Sequence, residues 1–326
     1  MQLLPKGKKI LALSGGVGGA KLALGLRHCL PPRQLTVVTN TADDFEHLGL
    51  SISPDLDTVM YTLAGMNDQE RGWGLSGESW TNLAALEQLG GDTWFQLGDR
   101  DLATHLIRTQ LRASGKNLAE VTAYLCRKLG VAVKVLPMSN DPVRTIVQTE
   151  KGEMGFQQYF VRERCEPKVS SFRFSGVESA AAHPEFLSLL RDDSLAGVVI
   201  CPSNPFVSVE PMLALDGVRD ALSNCHAPVI AVSPIVGGKA VKGPTAKMMQ
   251  ELSMPTNATA VAEYYRDILD GFVIDACDAS EAQGIEAMGI NTLVTPTVMQ
   301  SLQDRIDLAE QVARYAVRLA QPDLVV

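Results

Sequence analysis

The sequence predicts an α/β fold: a Rossmann-like, three-layer αβα core around a mainly parallel sheet, with a helical insertion subdomain. Three observations point to it. Short runs rich in β-branched residues alternate with helix-periodic segments. The runs are apolar along their whole length, as strands covered on both faces are. The first run ends in a glycine cluster, which suits a strand feeding a helix.

In chain order, Lys9 to Ser14 (KILALS) is the first strand, and Lys21 to Cys29 is a helix closed by Pro31-Pro32. Leu35 to Thr39 is the second strand. Ala196 to Ile200, Pro228 to Val232, Gly271 to Ile274 and Asn291 to Val294 continue the series. Helical patterns at Pro184 to Leu190, Thr245 to Leu252 and Ala260 to Leu269 lie between them, and Gln300 to Leu319 is a long helix after the last. The second and third strands of this series are about 150 residues apart, far too many for a crossover, so an insertion sits there. Residues 58–130 are mainly helical. Residues 131–190 form a mixed segment flanking the core, with strands expected at Ala132 to Leu136, Arg144 to Thr149, Met154 to Val161 and Ser171 to Phe174. The core then comprises residues 1–57 and 191–326.

Composition excludes several classes. Of the 326 residues, 46% are hydrophobic and 20% charged, which argues against disorder, collagen or a coiled coil. A net charge of -8 lacks the electrostatic footprint of a nucleic-acid binder but leaves room for a local phosphate site. Six scattered cysteines without a CxxC pair read as reduced thiols, and Met1 to Lys9 carries no secretory apolar stretch. The expectation is a cytoplasmic protein without a membrane segment.

Polar motifs sit after the strands, where open parallel sheets bind ligands. Ser14-Gly15-Gly16-Val17-Gly18-Gly19-Ala20-Lys21 has four glycines in five residues. Its spacing is neither a P-loop nor a GxGxxG fingerprint, and Thr39-Asn40 replaces the acid that NAD requires. Phosphate binding at Gly16, Gly18 and Gly19 is expected, with a structural turn as the alternative. Asn40-Thr41-Ala42-Asp43-Asp44 and Ser53-Pro54-Asp55-Leu56-Asp57-Thr58 bring carboxylates that suit Mg²⁺, although Asp55 or Asp57 could equally cap a helix from Thr58 to Leu63. In Leu97-Gly98-Asp99-Arg100-Asp101, Asp101 reads as a first-turn acid, while Arg100 could clamp an anion or join a surface ion pair. Pro202-Ser203-Asn204-Pro205 and Ser233-Pro234, with Lys239 and Lys242 beyond, offer rigid hydrogen bonds and charge at two further strand ends. Trp73, in Arg71-Gly72-Trp73-Gly74, could stack on a flat ring or simply pack.

The motifs SGGVGGAK, NTADD, SPDLDTVMYTLAG, RGWGL, LGDRDLATH, LPMSNDPV, CPSNPFVSV, SPIVGGKAVKGP and VAEYYRD occur in this order. Together they resemble the 2-phospho-L-lactate transferase family of deazaflavin coenzyme F-420 biosynthesis, over essentially Lys9 to Asp278. The resemblance implies an acceptor, Fo (7,8-didemethyl-8-hydroxy-5-deazariboflavin). It also implies a guanosine diphosphate donor such as lactyl-(2)-diphospho-5'-guanosine, whose three-carbon unit could be lactyl, enolpyruvyl or glyceryl. It further implies release of GMP, use of Mg²⁺ and a homodimer. By motif, Asp57 and Arg100 match the family's Fo-binding Asp and Arg. Asp57 and Asp43 are then the catalytic candidates, and Asp44 and Asp55 the metal-facing ones. Strand-end position assigns Gly16, Gly18 and Gly19 to the diphosphate, Ser203, Asn204 and Ser233 to the guanosine, and Lys239 and Lys242 to the leaving phosphate. Replacing Asp57 by Ala is expected to abolish transfer with the fold intact. The alternative is a regulatory protein of the gluconeogenesis-factor type that binds nucleotide sugars or dinucleotides without catalysis; Phe45-Glu46, where that group has glycines, argues against it.

Overall fold

The computed structural model describes residues 3–320. Seven parallel strands form the central sheet: β1 (Lys9–Ser14), β2 (Leu35–Thr39), β3 (Lys134–Pro137), β4 (Leu195–Ile200), β5 (Val229–Val232), β6 (Gly271–Ile274) and β7 (Asn291–Val294). Their spatial order is β7-β6-β5-β4-β1-β2-β3, and every pairing is parallel. The chain therefore reverses direction across the sheet between β1 and β4. A crevice opens there, beyond the carboxyl ends of both strands.

Alternation along β1 sorts its side chains into the two outer layers. Ile10 and Ala12 join a core with α1 (Gly16–Cys29), α2 (Pro54–Leu63) and the long helix Leu302–Ala320. Leu11 and Leu13 join a second core with Phe186, Met248 and Val261. All four are fully buried, each contributing roughly 1.5–3 kcal/mol for the larger side chains. Gly25 lets α1 approach the long helix so closely that a Cβ would collide with the Arg305 carbonyl.

The insertion supplies α3 (Thr81–Gln88), α4 (Asp99–Ala113) and α5 (Leu118–Lys128) before the chain returns as β3; the long helix Leu302–Ala320 is α6 below. A three-stranded antiparallel sheet of Arg144–Thr149, Gly152–Gly155 and Val169–Ser175 follows. The expected strand Met154 to Val161 is corrected here: pairing ends at Gly155, and Gln158–Arg162 winds into a π-helical turn. Residues Phe156 and Phe160 thereby stack on one face, 5.5 Å apart, rather than alternating across a sheet. Two short hairpins were not expected, Phe45–His47 with Leu50–Ile52 and Ile235–Val236 with Lys239–Ala240. No helix among the described residues is long and apolar enough to cross a membrane.

Candidate active site

A cleft of about 580 Å³ lies over the crevice between β1 and β4. Its floor is made by strand ends: Gly15 to Gly18 after β1, Asp43 after β2, Pro202 to Asn204 after β4 and Ser233 after β5. The insertion and the mixed segment build the opposite wall, with Arg71, Trp73, Trp94 and Phe95 from one and Phe156 and Phe160 from the other.

Two carboxylates face this cleft. Asp55 enters from the first turn of α2, whose Pro54 occupies a helix position that needs no N–H. The Asn40 amide donates to Asp55 Oδ2 at 3.0 Å, and Asn40 Oδ1 accepts from the Ala42 N–H, so the turn after β2 orients the acid. Asp43 lies on the same turn, and its Oδ1 is buried without a hydrogen-bond partner. Burial pushes Asp55 up to about 6, against the Asn40 and Gly16 donors that favour the ionised form. Burial, then repulsion from Asp55 and Asp44, raises Asp43 well above the ordinary carboxylate range. Crowded, desolvated carboxylates with an orphaned oxygen are what a hard divalent cation neutralises, so this set fits Mg²⁺.

Asp44 and Asp57 turn elsewhere. Asp44 accepts from Ser53 Oγ at 2.8 Å and lines a separate pocket of about 110 Å³ with Arg108, Arg112 and Arg144. Burial pushes it up to about 7 even so. Asp57 lies two residues beyond Asp55 on α2, so its side chain leaves the helix about 200° away. It is 5% exposed, is not part of the cleft wall, and is paired with the buried guanidinium of Arg108. Arg108 Nη1 also lies 3.0 Å from His105 Nδ1. His105 Nε2 is 3.3 Å from Asp101, which accepts a 2.7 Å bond from the Tyr61 hydroxyl. Asp57, Asp101 and His105 are spaced closely enough to hold a metal ion. Arg108 already supplies the positive charge there. The structure thus sets Asp57 in a network that ties α2 to α4, and an Ala there would strand a buried cation, so an intact fold is not expected of that variant.

Arg100 is exposed on α4, donates to the Ser76 carbonyl and does not line the cleft. Its neighbours in the motif are helix caps. Asp99 accepts from the Thr81 and Asn82 N–H groups at the start of α3 and from Ser79 Oγ at 2.6 Å. The Glu78 carboxylate accepts from the Arg100 and Asp101 N–H groups at the start of α4.

The glycines and strand-end polar residues have largely structural partners. α1 begins at Gly16, not Lys21, so the glycine cluster is the first turns of a helix. A Cβ on Gly18 would strike the Pro202 carbonyl, and one on Gly19 would lie 2.5 Å from Ser14 Oγ and 2.8 Å from Ser203 Oγ. Ser203 Oγ accepts from the Gly15 N–H and donates to its carbonyl, at 3.1 and 2.9 Å. Asn204 caps its own loop through the Phe206 N–H, and Ser233 is bonded at both ends to Ile235. Gly16, Gly18, Ser203, Asn204, Ser233 and Lys242 do line the cleft; Gly19 and Lys239 do not.

Several cleft residues had no expected role: Lys21, Arg164, Trp94, Phe95, Phe156 and Phe160. Lys21 was the one with a visible signal, at the end of the glycine cluster.

The sequence model of the 2-phospho-L-lactate transferase CofD family matches residues 10–313. The chain belongs to this family. Among its relatives, a phosphoenolpyruvate transferase of Streptomyces griseus is 39% identical over 319 residues, covering 96% of this chain and 98% of that protein. A 2-phospho-L-lactate transferase of Methanosarcina mazei is 38% identical over 305 residues, covering 94% and 99%. A solved structure of a UPF0052 family member from Bacillus halodurans aligns with a TM-score of 0.60 at 16% identity, covering 94% of this chain and 98% of that one. That likeness shows the fold alone and decides nothing about chemistry.

Proposed function

We propose that this CofD-family protein is a Mg²⁺-dependent transferase acting in coenzyme F-420 biosynthesis. It moves a phospholactyl, phosphoenolpyruvyl or phosphoglyceryl group from a guanosine diphosphate conjugate to the ribityl hydroxyl of Fo, releasing GMP. The observation that carries the reading is the Asp43–Asp55 pair at the crevice, beside the start of α1 and facing an aromatic wall. Relatives named for two of these transfers, phosphoenolpyruvate and 2-phospho-L-lactate, support it.

The residues divide the work by position. Asp55, beside Asp43, would hold Mg²⁺, which would supply charge neutralisation at the transferred phosphoryl oxygens. The unpartnered Oδ1 of Asp43 stays free in this reading to take the proton of the attacking hydroxyl. Trp73, 40% exposed at the cleft, and the stacked Phe156 and Phe160 offer flat apolar faces to the deazaflavin ring. Asp57 acts at a distance by fixing α2 through Arg108. Most of the catalysis is positioning and electrostatics, as in phosphoryl transfer generally. A cytoplasmic homodimer completes the reading, in keeping with six free thiols.

The deciding experiment supplies Fo, Mg²⁺ and each of the three guanosine donors in turn, and follows GMP and product mass. Turnover with one donor identifies the three-carbon unit. Folded protein that binds nucleotide but turns over none of the three would return the regulatory alternative.

A further inference from the structure

Besides Arg71 and Arg164 on its outer wall, the cleft has a group of three cations in or behind it, away from its carboxylates. Asp43 and Asp55 stand on the β2 side. On the other side, Lys21 reaches from the second turn of α1 to donate to the Met299 carbonyl at 2.8 Å, beyond the end of β7. Lys242, in the loop after β5, lines the same cleft, and its ammonium packs against Gly72 of the insertion. Arg305, on α6 directly after β7, is 4% exposed, and its Nε has no hydrogen-bond partner. Among the described residues, none of these three cations forms an ion pair. Their fields bear on one another: Lys21 is lowered by burial, then by Arg305, then by Lys242.

Holding the half-buried Lys21 and the buried Arg305 near each other and near the exposed Lys242, with no carboxylate among them, is unfavourable by itself, in a chain whose net charge is -8. An anionic ligand removes the penalty. We propose that Lys21, with Lys242 and the buried guanidinium of Arg305 behind it, forms an anion seat for the phosphate retained by the departing nucleotide. This rests on the transferase reading above. In that reaction the acceptor oxygen forms a bond to the phosphorus distal to guanosine. The bond from that phosphorus to the bridging oxygen breaks, and its electron pair stays on the bridging oxygen, now part of GMP. The hydroxyl proton goes to Asp43. The charge gained by GMP thus develops away from the carboxylates, on the side of the cleft formed by the segments after β4, β5 and β7, where the three cations lie. A lysine that meets this charge stabilises the leaving group as well as the ground state.

The assignment is tested by calorimetric titration of guanosine, GMP, the three-carbon guanosine diphosphate conjugate and inorganic pyrophosphate, without Fo, into wild type, Lys21→Met and Lys21→Arg. Wild type is expected to bind GMP at least tenfold more tightly than guanosine. Lys21→Met should lose most of that ratio while keeping guanosine affinity within twofold, and Lys21→Arg should keep most of it. Lys242→Met, at an exposed position, should lower the ratio about threefold and serves if Lys21→Met fails to fold. An unchanged ratio in folded Lys21→Met and Lys242→Met would overturn the seat. So would a loss confined to the three-carbon conjugate with GMP unaffected, which would move the anion to the carboxylate of that unit. Lys21-dependent GMP or pyrophosphate binding in a protein that shows no Fo turnover leaves the seat standing and removes the transferase reading instead.

Discussion

Asp55 and Asp57 differ by two positions and have opposite surroundings: one looks into the cleft beside Asn40, the other into a dry contact with Arg108. Changing Asp55 to Asn keeps its shape and one acceptor oxygen for the Asn40 amide, so the fold should survive. Transfer should fall by about 10²–10⁴, the range associated with a positioned acid-base or charge-stabilising group. Steady-state GMP release alongside thermal melting separates the two effects. Arg108→Met is expected to do the reverse kind of damage. It leaves Asp57 buried without its cation and should destabilise by about 3–5 kcal/mol in urea unfolding, with the Asp57→Asn, Arg108→Met double variant recovering part of the loss. Equal stability of the Arg108 variant and wild type would sink the structural role. Both acids were visible in the sequence as SPDLDT, yet their division was not. The helix was expected to begin at Thr58, which left both in one loop; it begins at Pro54, and the helical repeat then separates them.

Elements, rather than single side chains, explain the glycine cluster. Read as a loop, four glycines suggest a surface for phosphate, with a structural turn as the alternative. As the first turns of α1, they are where the helix passes against the loop after β4, and Gly18 and Gly19 are the tight points. Gly18→Ala should cost about 1–3 kcal/mol, because a backbone carbonyl rather than a flexible side chain stands in the way. Denaturant unfolding measures it, and a loss under 0.5 kcal/mol would show that the Pro202 loop yields. The main strands were legible because each is apolar along its length, a pattern only a doubly covered sheet demands. The segment Met154 to Val161 misled for the same reason that it matters. Its phenylalanines at positions 156 and 160 are four apart, a helical spacing hidden inside a β-rich stretch, and they line the cleft.

For the whole molecule, alternating strands and helices implied a parallel sheet but not its order, because strand neighbours are chosen by tertiary contacts that no local pattern encodes. That order places the carboxylates of the β2 end over the crevice, and their desolvation should be felt globally. Asp55 and Asp44 have folded pKa values near 6 and 7, above the ordinary 3.8 of an unfolded carboxylate. The folded state therefore holds more protons than the unfolded one between about pH 4 and 7, and stability falls as pH rises through that window. In EDTA, Tm should drop from pH 5 to pH 8; Asp44→Asn, Asp55→Asn should flatten the slope. Added Mg²⁺ should raise Tm at pH 8 and have little effect at pH 5, since the cation competes with the protons. A Tm that climbs with pH in EDTA would contradict the assignment.

The cleft also gathers residues from Gly15 to Met299, and Lys21 rests on the Met299 carbonyl. A chain emerging from the ribosome therefore lacks part of its cleft wall until Met299 has been made. A ligand that needs both ends of this cleft cannot act as a template for the early stages of synthesis. Ligand rescue of unstable variants should accordingly be confined to chains that extend past Met299, where a bound ligand shifts the equilibrium by mass action.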